Sequence, residues 1–307
     1  MAAAHITAES DRPVTAGVVV VTHDTCDEVL GCLASLDTDH LDAVVVVDSG
    51  SVDGTADAVR AVMPDVKVVE LDNVGFGRAA NAGIRACGTE VTVVCNADVR
   101  FDPGAITEMV RLMAADRQIG ATGPLVTYPD GSVQASARCE PDLRTAFVHA
   151  LLGRIAPDNA ATRRYHACDV PTDQQRDVDW LSGCAVALRR DAVDAVGGFD
   201  PGYFLYVEDV DLSQRLRAAG WRLRFDPDAH VTHRVGASTS RRRFKSLYEH
   251  ACSLDRFVRQ RQRPVTAALT LLPRRVALAA WVCLTYALER TLKGRSTTGE
   301  RRSEGRR

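Results

Sequence analysis

An α/β domain, doubly wound around a mostly parallel sheet, is the fold this sequence predicts, and three observations predict it. Continuous valine-rich runs recur at GVVVV (17–21), AVVVVD (43–48) and EVTVVC (90–95). None of them alternates with polar residues, so each reads as a strand buried on both faces, as in a parallel sheet covered by helices. Helical apolar spacing separates the runs, and strand, helix and strand repeat roughly every 25 residues.

The elements follow in order. The strand at 17–21 leads to a helix from about Cys26 to Leu36 and then to the strand at 43–48. Ser51 and Asp53 are short side chains that accept backbone N–H bonds, so they predict the start of a helix over 51–63. VKVVEL (66–71), a helix from about Arg78 to Ala86 and the strand at 90–95 complete a doubly wound half. After Phe101 the rhythm changes. DPGAITEMVRLMAA is a helix with Pro103 near its first turn, and IGATGPLVTYPDGSVQ is a hairpin turning at Pro129-Asp130-Gly131. The polar stretch 153–179 reads as a loop. DWLSGCAVALRRDAVDAVGGFD then reads as strand, helix and Gly-Gly turn, EDVDLSQRLRAAGW as a helix start, and RLRFDPDAHVTH as a closing strand.

At 307 residues the chain can bury a large core, and 46% apolar with 25% charged residues is ordinary for a folded soluble protein. The net charge of −2 conceals an asymmetry. Residues 1–240 hold 21 basic and 35 acidic side chains, a balance of −14, whereas residues 241–307 hold 17 and 5, a balance of +12. An acidic main body argues against nucleic acid as its partner. The nine cysteines include no CxxC pair, and Cys32, Cys87, Cys95 and Cys184 sit in apolar or small-residue contexts, as reduced packing thiols do. The first 17 residues lack a basic and an apolar signal region, so the main body is expected in the cytoplasm.

The expected organisation is a disordered 1–15, an α/β domain over 16–240, a basic helical segment over 241–293 and a basic disordered tail over 294–307. Within the third part VALAAWVCLTYAL (276–288) has 13 residues, too few to span a bilayer, and Arg274-Arg275 interrupt it upstream. Trp281, Tyr286 and the flanking arginines suit a peripheral helix at the headgroup level of an anionic membrane, with packing on the domain or a partner subunit as the alternative. The oligomeric state, monomer or homodimer, stays open.

Polar clusters stand at the carboxyl ends of the first four strands, where open α/β sheets bind ligands: Thr22-His23-Asp24, Asp48, DNVGFGRAANAG (72–83) and Asn96-Ala97-Asp98. A ligand crossing several strand tips is implied. Gly75-Phe76-Gly77-Arg78-Ala79-Ala80 fits a dinucleotide fingerprint, but it follows the third strand, and a lone match there is weak. Asn96 and Asp98, at i and i+2 on extended chain, point the same way and offer hard oxygen ligands for Mg²⁺ or Mn²⁺ with a diphosphate; capping of the next helix is the bland alternative. YFLYVEDVDL (203–212) crowds Glu208, Asp209 and Asp211, as acid–base sites do, although an acidic helix N-terminus would look the same. HVTHRVGAS adds His230 and His233 at a strand end.

Taken together, VVVVTHDTCDEVLGCLASL, VVVVDSGSVDGT, NVGFGRAANAGI, VVCNADVRF, GCAVALRRDAVDAVGGFDPGYFLYVEDVDLSQRLRAAGWRL and HVTHRVGAS occur in an order that resembles the inverting family-2 glycosyltransferases of GT-A fold. Within that family the chain is most similar to the rhamnosyltransferase-like branch of bacterial cell-wall and polysaccharide assembly. The resemblance covers roughly residues 16–240. It implies that Val21, Thr22 and His23 line a nucleobase pocket, that Asp48 binds base or ribose, and that Asn73, Gly75, Phe76 and Asn81 wall the diphosphate and sugar. Asn96-Ala97-Asp98 matches the family's D-x-D-type motif with Asn96 in place of the first Asp, leaving Asp98 as the metal ligand, and His233 matches a position that reaches metal or diphosphate. Asp209 matches the general base, with Glu208 beside it and Trp180 near the acceptor. The implied cofactor is Mg²⁺ or Mn²⁺, the implied donor a nucleotide-diphosphate sugar with dTDP-rhamnose favoured, and the implied acceptor a glycan or lipid-linked sugar. An inactive nucleotide-sugar-binding or scaffold protein of the same fold is the alternative from another class.

Overall fold

The valine runs form neighbouring strands. The computed structural model describes residues 14–138, 158–166, 172–234, 243–262 and 264–304. In it β1 (Ala16–Thr22), β2 (Ala43–Ser49), β3 (Lys67–Leu71) and β4 (Val91–Asn96) lie parallel in the order β3-β2-β1-β4. The connecting helices are α1 (Cys26–Ala34), α2 (Thr55–Val62) and α3 (Phe76–Cys87). Because successive side chains of a strand point to opposite faces, one run serves two cores. Val18 and Val20 pack with Val29, Cys32, Leu33 and Val59 from α1 and α2, while Val19 packs with Ala79, Ala80 and Ile84 from α3.

Beyond β4 come β5 (Val99–Phe101), α4 (Ala105–Ala115), β6 (Ile119–Thr127), β7 (Val133–Gln134) and β8 (Ala137–Arg138), then α5 (Ala160–His166), β9 (Arg176–Val178) and β10 (Trp180–Leu181). The chain continues through β11 (Ala185–Arg189), α6 (Arg190–Val196), α7 (Glu208–Ala218), β12 (Arg222–His233), α8 (Arg243–Arg261) and α9 (Pro264–Glu304). The sheet extends past β4 as β11-β6-β12-β5, with β11 antiparallel to both neighbours and β12 parallel to β6. β6 and β7 form the expected hairpin, in which Gly131 at φ +82° donates its N–H to the Tyr128 carbonyl at 2.9 Å.

Several elements differ from the sequence reading. The second helix starts at Thr55 rather than Ser51, because Gly50 and Gly54 take positive φ and make 50–54 a turn. Asp53 still caps, receiving the Thr55 N–H at 3.2 Å. The short strands β5, β8 and β10 carry too few residues to show a period. The expected loop over 153–179 contains α5 and β9, while 153–157 and 167–171 lie outside the described residues, as do 1–13 and 305–307. The last helix continues to Glu304 over positions expected as a tail.

The C-terminal segment differs most. α9 runs unbroken through Pro273, Arg274 and Arg275. Arg274 is buried and pairs with Asp255 of α8 at 2.6 Å, and Asp255 also receives Arg259 and Arg275. The two arginines thus dock the helix rather than interrupt it. Thr266–Ala287, 22 residues, is long and apolar enough by composition to cross a bilayer, against the 13 counted from sequence. α8 lies between two apolar clusters. Leu247 and Ala251 meet Leu278 and Val282 of α9, while Phe257 meets Tyr203 and Val207 of the main body. Arg256 grips Asp200 at 2.8 Å, and the Tyr203 hydroxyl donates to Gln260 at 2.7 Å. The expected boundary near residue 240 therefore precedes a helix that is packed into the domain.

Candidate active site

A cleft of about 530 Å³ opens at the carboxyl ends of β1 and β4. Val21, Thr22, His23, Asn73, Gly75, Phe76, Asn96, Ala97, Asp98, Trp180, Glu208, Asp209 and His233 all line it. Asp98 and Asp209, over a hundred residues apart in the chain, thus converge on one space.

On one side the tips of the parallel strands supply the groups. His23 follows β1, and its Nε2 lies 3.0 Å from Asn73 Nδ2, which follows β3. Gly75 has φ +86°, and a Cβ there would stand 2.2 Å from the Phe204 carbonyl oxygen, so no other residue fits. The same carbonyl accepts the Phe76 N–H at 3.0 Å. Two expected donor residues do not line the cleft. Asp48 is buried, and its Oδ1 accepts the Ser51 N–H at 2.9 Å, so it shapes the turn after β2. Asn81 lies a full turn along α3 and closes a two-way bond with Phe199, accepting its N–H at 2.9 Å and donating to its carbonyl at 2.8 Å. Both make their observed bonds within the frame around the cleft.

The middle of the cleft gathers the metal-type donors. β5 pairs with the end of β12 in a register that puts Val99 opposite His233. His233 Nε2 is therefore 3.1 Å from Asp98 Oδ1 and 3.4 Å from the Asn96 amide. The strand ends at Asn96, and Ala97-Asp98 form a turn rather than the expected extended chain, yet both side chains reach His233. The other ring nitrogen, Nδ1, donates to Gln134 Oε1 at 3.0 Å, which fixes the imidazole orientation in the way metal-bound histidines are fixed. Burial alone would depress the His233 pKa, but the bond to Asp98 and the neighbouring Cys184 push it up to about 10. One carboxylate, one carboxamide, which presents its oxygen after a half-turn, and one oriented imidazole, which would release its proton on coordination, suit a hard divalent cation. Another acidic group, Glu108, Asp226 and Asp228, lies on α4 and β12 and does not line the cleft.

Across from the strand tips stands the acidic pair. Tyr206 and Val207 take φ of +67° and +69°, a rare conformation for a β-branched residue, and this turn delivers Glu208 and Asp209 to the start of α7. The Asp209 carboxylate accepts the Gly183 N–H at 3.0 Å and the Val210 N–H at 2.8 Å. Burial pushes its carboxyl up, and those two N–H groups with the nearby Trp180 indole pull it partly back. The indole N–H itself is buried and makes no hydrogen bond of ordinary geometry. Glu208 is buried with Oε2 unpartnered, and burial, then the Asp209 charge, push its pKa up to about 8. Because the Asp209 charge is one cause of the Glu208 rise, Asp209 is the member of the pair that loses its proton first and can then accept one in the cleft. Asp211, the third acid, instead pairs with Arg215 at 2.7 Å and so serves α7 itself.

Sequence reasoning missed one wall altogether. Lys245, Ser246, Glu249 and His250 of α8 line the cleft, at i, i+1, i+4 and i+5 on one helix face. The His250 ring lies 5.0 Å from Tyr206 and 5.8 Å from Trp281, and Ser253 Oγ donates to the Leu205 carbonyl at 2.9 Å. The only prior signal was helical spacing, which gives no address for the face.

An open, mostly parallel α/β sheet with a polar cleft at its strand tips is the layout of the GT-A glycosyltransferases. The chain belongs to glycosyltransferase family 2. Family profiles described as "Glycosyl transferase family 2" and "Glycosyl transferase family group 2" match residues 17–166 and 92–292. The chain is 37% identical over 258 residues, covering 80% of it and 84% of the relative, to an N-acetylglucosaminyl-diphospho-decaprenol L-rhamnosyltransferase of Mycobacterium tuberculosis. It is also 46% identical over 56 residues to rhamnosyltransferase WbbL of Escherichia coli, covering 18% of this chain and 21% of that one. The fold is similar to a mannosyltransferase of Pyrobaculum calidifontis solved with GDP-Man and Mn²⁺, with TM-score 0.55 and 19% identity over 92% of this chain and 81% of that one. It is likewise similar to GalNAc-T7 solved with UDP, GalNAc and Mn²⁺, with TM-score 0.54 and 16% identity over 80% and 48%.

Proposed function

We propose that this glycosyltransferase moves L-rhamnose, with inversion, from dTDP-L-rhamnose to a sugar hydroxyl of a polyprenyl-diphosphate-linked acceptor in cell-wall or polysaccharide assembly. The observation that carries the reading is the shared cleft of Asp98 with His233 and of Asp209. The donor and acceptor chemistry is taken from the rhamnosyltransferase relatives.

In this reading the nucleotide lies along Val21–His23 and Asn73, and its sugar lies beside Gly75 and Phe76. Asp98 and His233, with Asn96, would hold Mg²⁺ or Mn²⁺, whose contribution is charge neutralisation on the departing diphosphate. Asp209 accepts the proton of the attacking hydroxyl as oxygen bonds to the anomeric carbon and the nucleoside diphosphate leaves. Glu208, neutral at pH 7, excludes water and keeps a second negative charge away from the donor. One displacement needs no covalent sugar–enzyme intermediate, so configuration inverts.

A lipid-linked acceptor agrees with α9, whose undocked face exposes Leu269, Leu272, Val276 and Leu284. Together with the +12 balance of residues 241–307, that face suits the anionic inner surface of the plasma membrane, with the main body in the cytoplasm. The test is transfer from a panel of nucleotide sugars to N-acetylglucosaminyl-diphospho-polyprenol, with Mn²⁺ or Mg²⁺, read by mass spectrometry. Addition of one deoxyhexose from the dTDP donor, inverted by NMR, is expected. Transfer from no donor, or retention of configuration, contradicts the reading.

A further inference from the structure

The cleft is short of positive charge for two anionic substrates. Among the described residues that line it, Lys245 is the sole lysine or arginine; the other basic side chains are histidines, and His233 is already paired with Asp98. Lys245 is exposed, and its Nζ sits 5.2 Å from the centre of the Phe204 ring, which fixes the ammonium at the cleft mouth rather than in bulk solvent.

Its place in the fold decides which anion it meets. The helix that carries it bonds to the segment leading into Asp209: Ser253 to Leu205, His250 to Tyr206, Arg256 to Asp200. On its other flank the same helix carries α9 through Leu247, Ala251, Leu278 and Val282. Lys245 therefore stands between the base and α9: it lines the cleft with Asp209, while its helix neighbours Phe244 and Leu247 pack on Tyr286 and on Leu278 and Val282 of α9, beside the exposed Leu284. A lipid-linked acceptor has the same order: reacting hydroxyl, diphosphate, hydrocarbon.

We infer that α8 is the acceptor wall and that Lys245 binds the diphosphate of the lipid-linked acceptor, an inference that rests on the acceptor class proposed above. The ammonium serves as a specificity contact remote from the reacting atoms, so its energy appears in acceptor binding and not in the chemical step.

The experiment compares wild type, Lys245→Met and Lys245→Arg on two acceptors, N-acetylglucosaminyl-diphospho-polyprenol and octyl N-acetylglucosaminide, which lacks the diphosphate. Loss of a charge-assisted phosphate contact should raise the KM for the diphosphate acceptor about 10- to 100-fold in Lys245→Met. Donor KM and kcat should stay within about twofold, the octyl glycoside should be used equally by all three proteins, and Lys245→Arg should recover most of the affinity. Farnesyl diphosphate should compete with the acceptor in wild type and lose at least about tenfold in potency against Lys245→Met. A rise in donor KM instead would assign the ammonium to the donor diphosphate and overturn the inference. Equal effects on both acceptors, or none on either, would overturn it too. Wild-type inactivity on both acceptors, with farnesyl diphosphate still displaced through Lys245, would count against the proposed sugar acceptor and leave the diphosphate contact standing.

Discussion

The two sides of the cleft are built on different principles. The donor side stands on the tips of parallel strands whose central valines, Val18–Val20 and Val45–Val47 among them, are buried, so its groups inherit the rigidity of the sheet. The acceptor side stands on the 199–210 segment and on α8, held by an aromatic contact chain, ion pairs and a turn with two non-glycine residues at positive φ. A strained turn persists only where its surroundings over-determine it, and here Phe257 and Leu254 of α8 pack against Tyr203, Tyr206 and Val207. The difference teaches where each function is vulnerable. Donor binding should tolerate changes in the C-terminal helices, whereas turnover should not.

The sharpest separation comes from Asp209→Asn, which keeps the shape of the base and removes its charge. We expect kcat to fall about 10²- to 10⁴-fold while donor affinity stays near wild type, measured by steady-state kinetics and calorimetry. Gly183→Ala probes the same side more gently. A Cβ there would stand 3.3 Å from Asp209 Cβ, and the Gly183 N–H holds the carboxylate, so displacement of the base should lower kcat about 10- to 100-fold with donor KM unchanged. Trp281→Ala removes the edge-on ring contact with His250 and should lower kcat only a few-fold through loosening of the 203–207 turn, a loss on the order of 1 kcal/mol. A matching rise in donor KM would break the division between the two sides.

The smallest effect is on stability. Glu208 has a folded pKa of about 8, above its ordinary 4.5, so the folded state holds a proton that the unfolded state has released. That group's contribution is most favourable below the unfolded value and is lost as pH rises through the folded one. Glu208→Gln, which mimics the neutral acid, should therefore have a Tm close to wild type at pH 5 and a higher one at pH 8.5. For a chain of this size the gain is about 2–4 °C per kcal/mol recovered.

The donor side was largely legible in the sequence, because parallel strands announce themselves as unbroken valine runs and their tips follow directly in the chain. Asn96 and Asp98 could be placed together because they follow a readable strand, and His233 joined them through the family resemblance. Asp48 and Asn81 show the limit. Sequence position does not reveal that their side chains bond Ser51 and Phe199 or that they lie outside the cleft lining. Lys245 and His250 were illegible for another reason: their meaning depends on α8 docking against 199–210 and α9, contacts fixed by Asp255, Asp200 and apolar faces far apart in the chain. The same docking explains why Arg274 reads as an interruption in the sequence and acts as an anchor in the fold.

The central claim is that Asp98 and Asp209 face one cleft and divide its work, and calorimetric titration of dTDP-rhamnose with and without Mn²⁺ tests it most directly. Wild type and Asp209→Asn should both bind the donor more tightly when Mn²⁺ is present, and Asp98→Asn should lose that enhancement. An enhancement that survives in Asp98→Asn, or disappears in Asp209→Asn, would contradict the assignment.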